Sequence, residues 1–310
     1  MVLRALFELF RRYHDNPAGT AVALFSYKNR SGLSQSQPLL NHRPTATGIG
    51  SHTEVTDRAH RHKLNRLLSS NAQWAADVSK HEPEFFTECA KGQAPKVLWI
   101  GCADSRVPES VIMACKPGEI FVHRNIANQF HLHDDSAQSV LTYAVEHLGV
   151  EHVVVVGHTQ CGGVAGAYDA ANKPSYGKPS KADSPLARWL GPLVALAGSS
   201  EFHASCGGME RGDTLNSLSE ANIRVQVENI CNSDVMRNAW ARATNGEAKK
   251  VYVHGWIYEL QSGRLRDLGV TQGPEGLVGP KFVGGLSVNG FANANGNANG
   301  NVNVEDGFAE

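Results

Sequence analysis

The chain has no long apolar run, no marked excess of one charge and no dense array of cysteines. Its longest uninterrupted stretch of Val, Leu or Ile is the four valines Val153 to Val156. A helix that spans a bilayer needs roughly 20 apolar residues, so no membrane span is expected. The net charge is −1 over 310 residues. With no strong basic stripe beyond the N-terminal segment, no nucleic-acid partner is expected. Six cysteines (Cys89, Cys102, Cys115, Cys161, Cys206 and Cys231) are scattered through a chain too long to need covalent staples. That usage points to an intracellular protein with metal or thiol chemistry rather than to a disulfide framework.

Two further scarcities mark the ends. Residues 1–53 carry six Lys or Arg but only Glu8 and Asp15 as acids, and Leu3, Leu6, Phe7 and Phe10 recur there at helical spacing. Basic, acid-poor, hydroxyl-rich and amphipathic is the composition of a mitochondrial presequence. Glu8 and Arg11 break any secretory core. The expected destination is the mitochondrial matrix, with the cytoplasm as the alternative. At the other end, "NGFANANGNANGNVNVEDG" (289–307) holds almost no large apolar residue, so nothing there offsets the entropy of ordering it. Residues 1–55 therefore read as an extension, 56–270 as the globular body and 271–310 as a disordered tail.

The body is rich in short apolar runs that alternate with helical patterns. "NAQWAADVSKHEPEFFTECAKG" (71–92) reads as helix, "KVLWIG" (96–101) as a strand closed by glycine, and "EIFVHRN" (119–125) as a second strand. "DDSAQSVLTYAVEHLG" (134–149) has cap candidates at Asp134 and Asp135 and a stop at Gly149. "EHVVVVGH" (151–158) is a strand buried on both faces, and a helix begins at 162. Residues 173–215 read as irregular around one short apolar segment. Helices follow at 218–231 and 233–246, then a strand at 249–260, paired with 263–270 through a Gln-Ser-Gly turn. Strands alternating with helices predict an α/β fold: a parallel-core β-sheet flanked by α-helices on both faces, with an added antiparallel edge strand.

Two strand ends share one grammar. Cys102-Ala103-Asp104-Ser105-Arg106 follows the first strand, and His158-Thr159-Gln160-Cys161-Gly162-Gly163 follows the third. Sites in open α/β sheets form outside the carboxyl ends of strands, so neighbouring strands would bring Cys102, His158 and Cys161 together. Two thiolates and an imidazole suit Zn²⁺ better than Mg²⁺ or Ca²⁺. Three protein ligands leave a position open, which separates a catalytic from a structural zinc site. Asp104 and Arg106 at a strand end fit a fork-shaped ion pair beside the metal.

"CADSRVPES" followed by "HTQCGG" strongly resembles the β-class carbonic anhydrases of fungi and bacteria. "GQAP", "FVHRNIAN", "YAVEHLGV" and "VHGWIY" extend the likeness from about Asn71 to Val270. The resemblance implies a catalytic domain over 56–270 and one Zn²⁺ per chain, held by Cys102, His158 and Cys161. It implies reversible hydration of CO2 to bicarbonate and a proton, through attack by a zinc hydroxide. Asp104 would orient that hydroxide, with Arg106 holding Asp104. Gln93, Phe121, Ile126, Tyr143 and the Gly162 backbone would line the CO2 cleft. Some members of the family close at low pH with the aspartate as fourth ligand, and bicarbonate stabilises that state. The matching bicarbonate pocket here would be Trp99, Arg124 and Tyr258. The family also implies a homodimer or tetramer, with clefts at the subunit interface. Two other readings stay open: hydrolysis of a CO2-like sulfur compound (CS2 or COS) on the same fold, and a non-catalytic zinc protein. "SCGGME" (205–210) lacks an adjacent histidine and is set aside, as are His131, His133, His147, His152 and His254.

Overall fold

The computed structural model describes residues 52–173 and 184–277. The presequence reading and most of the Asn/Gly-rich tail thus lie outside the described residues. The chain divides into two compact units between Gly92 and Gln93.

The first unit contains helices α1 (His52–His81) and α2 (Phe85–Lys91). The sequence predicts one helix over 71–92, and the structure breaks it at Pro83. Proline has no N–H to donate and disfavours a helical residue before it. The break folds back on itself: Trp74 meets Phe86 edge-on at 5.6 Å.

The second unit is built on a sheet of strands β1 (Val97–Cys102), β2 (Ile120–Asn125), β3 (His152–His158) and β4 (Tyr252–Glu259). These run parallel in the order β2-β1-β3-β4. Short strand β5 (Arg264–Asp267) adds antiparallel to β4 after the turn at Gly263, as the sequence predicts. The sheet continues one step past the expected end of the body. Around Pro274, a hairpin joins β6 (Gln272–Gly273) to β7 (Gly276–Leu277), and Gln272 pairs with Val253.

The strand order decides where helices lie. Right-handed crossovers put a connection on one face when the chain moves one way along the sheet and on the other face when it moves back. The β1-to-β2 connection holds α3 (Glu109–Ile112), and the later connections hold α4 (Asp135–Thr142), α8 (Arg211–Cys231) and α9 (Asp234–Thr244). Leu98, Ile100, Val153, Val155, Val253 and Ile257 pack under Leu141, Ile223, Ile230 and Met236 of those later helices. Each such buried side chain contributes about 1.5–3 kcal/mol of transfer free energy. The opposite face presents Trp99, Val154 and Val156, and α3 with its cap brings Ile112 and Met113 there. Both faces carry helix, but unequally.

Helix α8 comes so close to the sheet because two glycines let it. A Cβ on Gly157 or on Gly255 would sit 2.8 or 2.9 Å from Ile223. Gly255→Ala is therefore expected to cost about 1–3 kcal/mol by overpacking. An unchanged denaturant midpoint would contradict this reading of the helix–sheet contact.

Three other boundaries differ from expectation. Residues 173–215 are not irregular throughout: they contain α6 (Pro185–Ala197) and α7 (Ser200–Ser205), and α8 already begins at Arg211. Ser184 and Ser199 cap the first two by accepting from Ala187 and Phe202 N–H, and Leu190, Leu193, Leu196 and Phe202 are buried. The helix predicted for 134–149 changes to a π-turn over Tyr143–Leu148 before Gly149. The strand expected from 249 begins at Tyr252. Asp134 caps α4 and Ser233 caps α9 as expected.

Candidate active site and metal centre

In this strand order the chain leaves β1 toward β2 on one side and runs from β3 to β4 on the other. The crevice outside the carboxyl ends of β1 and β3 is thus the topological switch point. Cys102 is the last residue of β1 and His158 the last of β3. A two-residue turn, Thr159-Gln160, then delivers Cys161 to the start of α5 (Gly162–Ala171). Gln160 takes φ +57°, a left-handed conformation that tightens the turn.

The three side chains are buried, and their ligand atoms all lie within 4.8 Å of one another. The two sulfurs are 3.9 Å apart, a separation that excludes a disulfide and suits a shared cation. His158 Nδ1 lies 2.9 Å from the Thr159 carbonyl. A carbonyl only accepts, so Nδ1 carries the proton and Nε2 keeps its lone pair. That Nε2 is buried with no hydrogen-bond partner. A buried, unpartnered acceptor beside two thiols fits a cation-binding set, and the donors suit zinc.

The thiols divide one charge between them. Cys102 is pulled down to about 4 by its bond to Cys161, by His158 and by the backbone N–H groups of Asp104 and Ala127, against the opposing effect of burial. Cys161 is pushed up, first by its bond to Cys102 and then by burial. The backbone of Val164 and Gly163 at the start of α5 opposes the rise.

Beside this set sits the expected fork. Arg106 Nε donates to Asp104 Oδ1 at 3.0 Å, a terminal nitrogen donates to Oδ2 at 2.7 Å, and Arg106 N–H adds a third bond at 2.9 Å. These bonds hold the Asp104 carboxyl well below the usual carboxylate range. The same guanidinium nitrogen donates to the Gln160 carbonyl at 3.1 Å, tying Asp104 to the turn that carries Cys161. Asp104 Oδ2 lies 3.8 Å from His158 Nε2. The carboxylate thus faces the ligands while engaged by Arg106.

The residues expected around the cleft are placed unevenly. Gly162 opens α5, and Ile126 lies against the same turn: a Cβ on Gly163 would meet Ile126 Cγ2 at 3.1 Å. Phe121 and Tyr143 stack at 5.8 Å, with Tyr143 half exposed. Gln93 is exposed in the segment before β1. Of the supposed regulatory trio, Trp99 is buried with its indole nitrogen unpartnered. Arg124 donates to the Cys102 carbonyl at 2.9 Å and the Asp104 carbonyl at 2.6 Å, and its third nitrogen lies 3.6 Å from Glu109 Oε2. Tyr258 is half-buried and packs in the same cluster as Trp99. The sequence reading omits Thr159 and Gln160, whose carbonyls orient His158 and Arg106. The one signal for them was position, between two ligands.

A three-ligand metal centre with a carboxylate–guanidinium pair, at the switch point of a parallel sheet, defines the class: an α/β metalloenzyme site. The carbonic anhydrase family model matches residues 97–265. A carbonic anhydrase of Emericella nidulans is 36% identical over 66% of this chain and 83% of its own length. A tetrameric β-carbonic anhydrase of Sordaria macrospora superimposes with a TM-score of 0.58 at 35% identity, covering 68% of this chain and 99% of that one. The β-carbonic anhydrase of Coccomyxa, solved with acetazolamide, gives a TM-score of 0.58 at 32% identity over 66% and 86% of the two chains. This chain belongs to the β-class carbonic anhydrases.

Proposed function

We propose that the chain catalyses reversible hydration of CO2 to bicarbonate and a proton, at a Zn²⁺ held by Cys102, His158 and Cys161. The carrying observation is the convergence of three buried donors with the Asp104–Arg106 fork beside them. When bound, Zn²⁺ supplies Lewis acidity that makes hydroxide available near neutral pH. The chain's own residues then do the positioning. Asp104, an acceptor at all working pH values, takes a hydrogen bond from the attacking oxygen and turns its free lone pair toward the carbon. Arg106 fixes the carboxylate by two parallel bonds, which lysine could not form. Ile126, Phe121 and Tyr143 offer apolar surface to CO2. Gln93 and the Gly162 N–H offer donors to the oxygens of bicarbonate. The proton leaves to buffer. The same geometry would attack COS or CS2, and parallel assays with those gases separate the substrates. An assembly of two or four copies follows the tetrameric Sordaria relative. The mitochondrial destination, or the cytoplasmic alternative, rests on residues 1–53 alone.

A gate is the finer part of this proposal. Arg124 spans from β2 to the carbonyls of Cys102 and Asp104, so an anion drawing on Arg124 would loosen the segment that carries Asp104. The unpartnered Trp99 nitrogen supports an oxyanion at that place, with Tyr258 packed in the same cluster. Asp104 engaged by Arg106 supports an open arrangement as the resting state. Because Asp104 stays ionised, closure at low pH would not wait for its protonation; Asp104 would move onto the metal as hydroxide becomes scarce. Stopped-flow CO2 hydration from roughly pH 6.5 to 9, with and without bicarbonate, tests both parts. The expected result is activity that falls toward low pH, with added bicarbonate deepening the fall and Trp99→Phe abolishing the bicarbonate effect. A bicarbonate-independent profile would remove the gate and leave the hydration proposal standing.

A further inference from the structure

Between β2 and the histidine-rich loop before α4, the chain makes a buried turn that no side-chain propensity explains. Ala127 has φ 60° and ψ 30°, and Asn128 has φ 48°. Both are essentially inaccessible. Asparagine tolerates the left-handed region, but alanine there costs about 1–2 kcal/mol. Such strain persists only when surroundings over-determine it, and it gathers at functional sites.

The surroundings are a set of amides, two of them on a helix far away in sequence. Asn222 Nδ2 donates to the Ala127 carbonyl at 3.0 Å, and Gln129 Nε2 donates to the same oxygen at 2.9 Å. Asn222 Oδ1 accepts from Gln129 at 2.7 Å and from Gln226 at 3.0 Å. Asn125 brackets the turn, accepting from Gln129 N–H and donating to Gln129 O, both at 2.7 Å. Trp189 of α6 donates its indole N–H to the Ile126 carbonyl at 2.9 Å. The turn so held does two things at the metal centre. Ala127 packs in the same buried cluster as Cys102 and Cys161. The Ile126 and Ala127 side chains press on Gly163, where any Cβ would lie 3.0 Å from that of Ala127.

We propose that Asn222 is a positioning residue for the metal centre: with Gln129, it locks the left-handed Ala127 turn so that Ala127 backs Cys102 and Gly163 and Ile126 borders the cleft. The inference rests on the metal reading above. Outer-shell partners that orient and polarise metal ligands typically account for 10- to 100-fold in metal affinity. Asn222→Leu keeps the side chain's approximate size and removes all three of its bonds. Zn²⁺ affinity, by chelator competition on the full-length protein, should fall about 10- to 100-fold. In the Co²⁺-loaded form, the thiolate-to-metal charge-transfer band should shift, because the turn packed against Cys102 and Gly163 is released.

Asn229→Leu is the control. Asn229 belongs to the same helix stripe but bonds Phe130 O and Gln226, not the turn. Its affinity and band should match wild type. Should Asn222→Leu fail to fold, Trp189→Phe, which releases only the Ile126 carbonyl, should release zinc several-fold faster and raise KM more than it lowers kcat. Folded Asn222→Leu with wild-type affinity and an unmoved band would overturn the inference. So would equal losses in Asn229→Leu, or a Trp189→Phe variant indistinguishable from wild type. A wild-type protein that binds no zinc would overturn the metal reading itself.

Discussion

Cys102→Ser will purify folded but without metal, and will not hydrate CO2. Serine differs by one atom, yet its hydroxyl stays protonated where the Cys102 thiol is pulled down to about 4. It thus offers Zn²⁺ a neutral oxygen in place of an anionic sulfur, against the softness that favours thiolate. Removing an outer-shell partner costs metal affinity 10- to 100-fold, and loss of a direct ligand is expected to exceed about 100-fold. Metal content by mass spectrometry, circular dichroism and stopped-flow hydration on one preparation check the prediction. A folded, metal-loaded and active Cys102→Ser would mean that the ligand set is wrong.

Asp104→Asn should separate chemistry from metal binding. The variant keeps the shape of the side chain, and the three ligands remain. But Arg106 offers donors to both carboxylate oxygens, at 3.0 and 2.7 Å. An amide can present only one acceptor to that fork, and its NH2 would oppose a guanidinium N–H. The attacking oxygen also loses its anionic acceptor. Positioned proton-handling groups typically contribute 10²- to 10⁴-fold, so kcat/KM should fall at least about 100-fold with zinc content unchanged. Arg106→Lys keeps the charge but loses the two-point grip, and should fall between the two. Near-wild-type activity in Asp104→Asn would make the fork structural.

The sheet and the three candidate ligands were legible in the sequence for the same reason. A strand buried on both faces writes itself as a continuous run, as in Val153 to Val156, and the polar residues that follow it stand out. Register added what composition cannot state: β1 and β3 are neighbours, so residues 55 positions apart lie side by side. What escaped was set by long-range contacts. Residues 185–205 contain prolines and glycines that read as breaks, yet Ser184 and Ser199 caps and buried leucines fold them into helices. Pro83 was visible, but the apolar spacing on both sides of it reads as continuous.

The support of the site was the least legible. Asn222, Gln226 and Asn229 follow the same helical spacing as the buried Ile223, Val227 and Ile230 beside them, and that matching period was an available signal. Their target was not available. A left-handed alanine at position 127 has no mark in sequence, because the conformation comes from tertiary hydrogen bonds rather than from the residue. Trp99, Arg124 and Tyr258 present the opposite case. Their types were readable, but Glu109 beside Arg124 is a feature that only the packing of α3 brings forward.

The most direct test of the central claim is CO2 hydration measured together with zinc content on the same sample, before and after chelation and after adding back Zn²⁺ alone. The account predicts one zinc per chain, activity lost in step with the metal, and recovery on reloading. A chelated protein that is free of zinc and still hydrates CO2 at the original rate would contradict it.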